Sequence, residues 1–200
     1  MIRRYQLIFA ALLALFGFLG TSARAAGPMD EIALGKPDAK ITIIEYFSMT
    51  CSHCATFEIE TLPELRKAWI DTGKARFVFR DFPLDPVALL AAQLGRCLAA
   101  DKGAETYARF VELLMKGQMT WAVSKDPYQS LAASARLAGM SKDRIETCAQ
   151  DKKLEDGILQ GQLDAQKKYG IRSTPSFVVN GKLYSGSMTF EQFDKVLKGQ

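Results

Sequence analysis

The sequence predicts an α/β fold carrying a helical insertion, and three observations lead there. An apolar strand pattern runs straight into a Cys-Ser-His-Cys motif and a helical pattern, and a second strand pattern follows, which makes a βαβ unit with a parallel pair. Strand signals then stop between Pro83 and about Asp151, where amphipathic helical stretches succeed one another. They return near the C-terminus as two short strands around Asn180-Gly181, a strong local signal for a β-hairpin. With 200 residues, 48% of them apolar, the chain can bury a full core, which argues against disorder.

Taken in order, the N-terminus reads as a secretory signal over residues 1–25: Arg3 and Arg4, an apolar run from Leu7 to Leu19, then Ala23-Arg24-Ala25. Cleavage is expected after Ala25 or Ala26. The run is short of the roughly 20 residues that a membrane-spanning helix needs. Removing residues 1–25 takes away three arginines and no acids, which lowers the formal net charge from +4 to +1. The basicity belongs mostly to the export signal, so a nucleic-acid partner has no electrostatic motive.

A short tail, about Gly27 to Lys40, precedes Ile41–Phe47, whose β-branched and aromatic residues read as a strand buried on both faces. From Ser52 to about Asp71 the positions Phe57, Leu62, Leu65 and Trp69 recur at helical spacing, Pro63 predicts a kink, and Gly73 ends the helix. Residues 75–80 read as the second strand. Helical patterns follow at 87–101, 104–116, 128–138 and 142–150, with Asp126-Pro127 as a cap and first-turn proline and Gly139 as a stop. Another helix is expected from Lys152 to Tyr169, strands at 176–179 and 182–185, and a last helix from Phe190 to Leu197. The expected organisation is a discontinuous domain, 27–82 and 152–200, interrupted by the insertion 83–151. Tyr46, Phe47, Phe57 and Trp69 are expected in the core rather than in a substrate groove.

The chemistry sits at Cys51-Ser52-His53-Cys54, which places two sulfurs three residues apart where a strand meets a helix. Free N–H groups and the helix dipole stabilise a thiolate at Cys51, and His53, the one histidine in the chain, can add a donor. Cys51 is therefore expected to ionise below the ordinary thiol value and to be the attacking and leaving sulfur, with the more enclosed Cys54 resolving or re-forming the bond. Three other readings of the motif compete. Zinc would want a second close pair, whereas Cys97 and Cys148 are far apart in sequence. A c-type haem needs histidine after the second cysteine, where Ala55 stands. An inert structural disulfide explains neither the strand-to-helix placement nor the proline at 175.

The segment Glu45-Tyr46-Phe47-Ser48-Met49-Thr50-Cys51-Ser52-His53-Cys54-Ala55-Thr56-Phe57-Glu58, the helical insertion after it, and Thr174-Pro175 before the hairpin resemble the DsbA family of periplasmic oxidases. The resemblance covers roughly residues 30–198. It implies a thioredoxin-like fold with an inserted helical domain, and oxidation of dithiols in newly exported, unfolded proteins. It also implies re-oxidation by a DsbB-like, quinone-linked membrane partner, and a cis bond at Pro175 facing the active disulfide. The chain departs from many members in having Ser52 rather than proline after the first cysteine, and from the best-known members in having Thr174 rather than valine before the proline.

Glu45 interrupts an apolar strand six residues before Cys51, and a carboxylate there can move the proton of Cys54 through water, as the matching acid does in this family. Glu58, one turn past Cys54, is expected to be a solvated helix charge before a functional group. Cys97 and Cys148 are expected to form a second, structural disulfide, the alternative being two separate buried thiols. The expected protein is a monomeric periplasmic dithiol oxidase whose only cofactor is its own redox disulfide and which holds no metal. A disulfide isomerase or reductase of related fold, and a non-redox module that holds unfolded chains, are the alternatives.

Overall fold

The computed structural model describes residues 27–200, so the signal-peptide reading of 1–25 lies outside the described residues. Five strands form one sheet in the order β1-β3-β2-β4-β5. They are β1 (Ile32–Leu34), β2 (Ile41–Phe47), β3 (Ala75–Asp81), β4 (Ser176–Val179) and β5 (Lys182–Ser185). β2 and β3 run parallel, as a crossover through a helix demands, and every other pair is antiparallel.

Alternation along β2 decides what each face does. Ile43, Glu45 and Phe47 point to one face, where Phe57, Phe77, Phe79, Phe177 and Phe193 pack as a chain of stacked, tilted and edge-on rings 4.7–6.1 Å apart. Tyr46 points to the other face and joins Val178, Phe82, Ile171 and Ala165. One charged residue, Glu45, thus lies on the aromatic side of a central strand.

The redox-motif helix, α1 (52–70), alternates α-helical turns at Ser52–Thr56 and Leu62–Leu65 with π-helical turns at Phe57–Thr61 and Arg66–Ile70. At Pro63, where a kink is expected, the helix is locally widened. The Leu62 N–H reaches back five residues to Phe57 O, which opens the turn just before a proline that has no N–H to give.

The insertion is helical throughout: α2 (Pro86–Lys102), α3 (Ala104–Lys116), α4 (Gln118–Trp121), α5 (Pro127–Leu137) and α6 (Lys142–Ala149). Two helices, α7 (Lys152–Tyr169) and α8 (Phe190–Lys198), complete the chain. Asp85 caps α2, its Oδ1 accepting from Ala88 N at 2.8 Å. Asn180 at φ 45° and Gly181 at φ 88° make the left-handed pair that a two-residue hairpin turn requires.

Two short elements had no readable pattern. β1 occupies part of the segment read as a short tail, and α4 falls in a gap between expected helices. β1 is held partly from outside itself. The buried Arg96 pairs with Asp81 and donates through Nη1 to Pro28 O (3.1 Å) and Asp30 O (3.4 Å). Among the described residues, no helix is long and apolar enough to cross a membrane.

Candidate functional site

β2 ends at Phe47, and residues 48–51 turn the chain into α1. Ser48 Oγ accepts from Leu84 N (3.3 Å), and Thr50 Oγ1 donates to Asp85 Oδ2 (2.6 Å), so the first residues of the insertion brace this turn. Cys51 is the N-cap of α1, extended at φ −82°, ψ 119°, and its sulfur accepts from Cys54 N at 3.4 Å.

Across from it, Thr174-Pro175 is a cis peptide bond, and the Cys51 thiol donates to Thr174 O at 3.4 Å. Cys51, Cys54 and Pro175 therefore meet at one place, although more than 120 positions separate the motif from the proline. Both cysteines are free thiols and both are buried, Cys51 with 8% of its surface exposed and Cys54 with none.

The two sulfurs differ sharply in acidity. Cys51 is lowered from the ordinary value near 9 to about 5, chiefly by the Cys54 S–H, which donates to it. Partial burial opposes the shift, and Thr174 and the backbone N–H groups of Cys54 and His53 add to it. The Thr174 hydroxyl has no partner when Cys51 is a thiol, which leaves it available to the thiolate. Burial pushes Cys54 strongly upward, and its hydrogen bond to Cys51 and the neighbouring Glu45 add to the rise.

His53 takes a different part from the expected one. Its side chain is exposed, and what it contributes to the Cys51 thiolate is its backbone N–H. The ring lies on the first turn of α1, pointing to solvent, while the amides at that helix end point at the sulfur.

Glu45 is fully buried on the aromatic side of β2, and neither of its carboxyl oxygens has a hydrogen-bond partner. Its pKa is raised well above the carboxylate range, first by desolvation, then by Glu58 and Cys51. Glu58 corrects an expectation: it is no solvated helix charge but is 3% exposed, with Oε1 unpartnered. The widened turn Phe57–Thr61 carries it inward, against the sheet and beneath α3. Burial raises its pKa too. The two buried carboxyls lie close enough that each bears on the other's ionisation, and burial raises both above the ordinary carboxylate range beside Cys54.

Tyr46, Phe47 and Phe57 are core residues, whereas Trp69 is half-buried and its Nε1 donates to Asp194 at 3.2 Å. Far from the motif, Cys97 on α2 and Cys148 on α6 are bonded to each other with Cα atoms 6.3 Å apart. The pattern gave no sign of the group that reaches the motif from the insertion, Gln118 of α4. Its Nε2 donates to Met49 O (2.9 Å) and Cys51 O (3.1 Å).

The thioredoxin family model matches residues 29–199. Among curated relatives, the chain is 33% identical over 153 residues to a Rickettsia bellii protein named "Putative protein-disulfide oxidoreductase", covering 76% of this chain and 58% of that one. It is 24% identical over 177 residues to disulfide bond formation protein D of Bacillus subtilis, covering 84% and 77%. The chain spans between 55% and 58% of the first two Rickettsia relatives it matches. Of solved structures, alpha-DsbA1 of Wolbachia pipientis superposes with a TM-score of 0.79 at 30% identity, over 85% of this chain and 90% of that one. BdbD of Bacillus subtilis shares the fold at a TM-score of 0.71 and 23% identity, over 84% and 91%. With the family model matched over nearly all its described residues and a DsbA structure matched over nine-tenths of that chain, this chain belongs to the thioredoxin family, among its DsbA-like members.

Proposed function

We propose that this protein is a thiol:disulfide oxidoreductase that introduces disulfides into newly exported proteins through the Cys51–Cys54 couple. The single observation that carries the reading is the unequal pair of thiols at one helix start: Cys51 is lowered to about 5 and faces Thr174 O, while Cys54 is fully enclosed and driven upward. A dithiol built this way favours its reduced, thiolate form, so its disulfide is a ready oxidant.

In the oxidised protein a client thiolate attacks Cys51 Sγ, the Cys51–Cys54 bond breaks, and Cys54 leaves as a thiolate that takes a proton from the Glu45 and Glu58 pair. A second client thiolate then attacks the client sulfur of the mixed disulfide and releases Cys51 as a thiolate. The client has lost two electrons and the Cys51–Cys54 pair has gained them. A DsbB-like membrane partner linked to quinone would accept those electrons and restore the disulfide. No other cofactor is needed for this exchange. Glu45 and Glu58 hold and return the Cys54 proton, the backbone N–H of His53 supports the Cys51 thiolate, and the cis Thr174-Pro175 bond sets Thr174 O against it.

Apolar side chains at the rim support an unfolded polypeptide as client. Leu84, whose N–H donates to Ser48 Oγ, is 54% exposed, and Met119, next to Gln118, is 78% exposed. The site of action is the periplasm and the working form a monomer.

The test is the stability of the reduced and oxidised forms against pH, with equilibration against glutathione. Because the Cys51 value is depressed on folding, its contribution to the reduced form is complete above pH ~9 and is lost as pH falls through ~5. After discounting for solvent screening, the reduced-minus-oxidised difference should rise by about 3 kcal/mol from pH 5 to pH 8. Closing the four-residue ring favours the oxidised form by about 2 kcal/mol without pH dependence, so the slope isolates the thiolate. A flat difference, or an equilibrium lying with the oxidised protein, would instead favour a reductase or isomerase.

Glu45→Gln keeps the shape of the buried carboxyl and removes its titration. Stopped-flow reaction with a dithiol peptide should slow by about tenfold in the step that expels Cys54 or brings it back to bond with Cys51. The Cys51 thiolate transition should stay low. An unchanged rate would remove Glu45 from the mechanism.

A further inference from the structure

We infer that Gln118 is a positioning residue for the redox centre: its side-chain amide, delivered by the helical insertion, clamps the turn that presents Cys51 by donating one hydrogen to Met49 O and the other to Cys51 O. This rests on the reading of Cys51 as the attacking thiol.

Gln118 is 6% exposed, so its amide is committed to the partners it has. Nε2 lies 2.9 Å from Met49 O and 3.1 Å from Cys51 O, and Met115 Sδ, a third acceptor in reach, is a weak one at 3.7 Å, so the two hydrogens of the NH2 group go to the carbonyls. Cys51 O also accepts the first hydrogen bond of α1, from Ala55 N at 3.1 Å. One carbonyl thus receives a donor from its own helix and another from the insertion, which fills its two lone pairs. The residues on either side of Thr50 are tied to a single planar group, and the backbone that aims Cys51 Sγ at Cys54 N and Thr174 O has little freedom left.

The clamp is itself held from behind. Trp121, one turn further along α4, donates through Nε1 to Leu114 O at 2.6 Å and fixes α4 against the end of α3. The insertion therefore does more than cover the sheet; it reaches the sulfur through one amide. Removing the donors takes the side-chain partner from Met49 O, leaves Cys51 O with Ala55 N alone, and lets the 49–51 turn rotate, which weakens the N–H groups that stabilise the thiolate.

The experiment follows Cys51 thiolate absorbance against pH in the reduced full chain, beside thermal melts, for the unmodified protein, Gln118→Met, Gln118→Asn and Trp121→Phe. Met removes both donors at similar volume; Asn keeps an amide too short to span both carbonyls and covers the case in which Met does not fold. Either variant should move the absorbance midpoint up by about one pH unit, so about tenfold less thiolate forms at a given pH below it. Trp121→Phe loosens the support of the clamp while keeping both amide donors, so it should lower the melting temperature and move the midpoint less than either Gln118 variant. Midpoints unchanged in both Gln118 variants, or moved equally by Trp121→Phe, would overturn the proposal. An unmodified protein with no thiolate transition below the ordinary thiol range would overturn the reading of Cys51 instead.

Discussion

Cys51→Ser is expected to lower the rate of disulfide transfer to a reduced, unfolded client by more than about 10³-fold, and to erase the low-pH thiolate transition of the reduced protein. The loss is large because no other described sulfur can substitute. Cys54 is fully buried and its thiol is pushed upward by burial, so at neutral pH it offers neither access nor thiolate. The variants at Cys54 separate two effects. The largest influence holding Cys51 at about 5 is the Cys54 S–H that donates to it, and a serine hydroxyl at that position is also a donor. Cys54→Ser should therefore retain a low transition, whereas Cys54→Ala should raise it. Cys54→Ser should also accumulate a mixed disulfide between Cys51 and client, since the resolving thiol is gone. The measurements are thiolate absorbance against pH and non-reducing electrophoresis with a dithiol client. A Cys51→Ser protein that kept both the low transition and the turnover would place the chemistry elsewhere, and one that kept client binding alone with no loss of function would favour a chaperone-like holder.

Much of this site was legible because its signals are local. Cys51 and Cys54 are close in sequence, a strand pattern ends immediately before them, and the Asn180-Gly181 turn fixes a hairpin by its own backbone preference. Pro175 was harder: only the resemblance brought it to the cysteines, since nothing along the chain ties position 175 to position 51. Glu58 was misjudged for a non-local reason. Its helical spacing looks like a solvent-facing charge, and it is enclosed because α1 widens into a π turn there and α3, from a distant part of the sequence, closes over it. Gln118 had no pattern at all, since its role depends on α4 meeting the 48–51 turn. His53 was read as an imidazole donor, but the helix start supplies backbone N–H groups first. β1 is three residues long, too short for alternation to register.

The second large effect lies away from the redox centre. Replacing both Cys97 and Cys148 by alanine should lower folding stability by about 4 kcal/mol, because the bond closes a loop of 51 residues and restricts the unfolded chain accordingly. For a chain of this size that is a drop in melting temperature of roughly 8–16 °C. Neighbouring interactions are too weak to mask it. The Arg144–Asp101 pair across the same two helices is a third exposed and adds at most about 1 kcal/mol, and the Gln93 amide, donating to Asp151 O at 3.2 Å, adds about as much. Activity should survive, since the bridge joins α2 to α6 and neither helix supplies a residue to the sulfurs of the motif. The two disulfides should also open in sequence under mild reductant. Both sulfurs of the Cys97–Cys148 bond belong to residues only 1% exposed, and a client or small thiol cannot reach them, whereas Cys51 stands at a helix start near the surface. Peptide mapping of the non-reduced, exported protein checks the premise directly. Alkylation of Cys97 and Cys148 in native material would sink it, and a double variant that melts with the unmodified protein would show that the helices are held by packing alone.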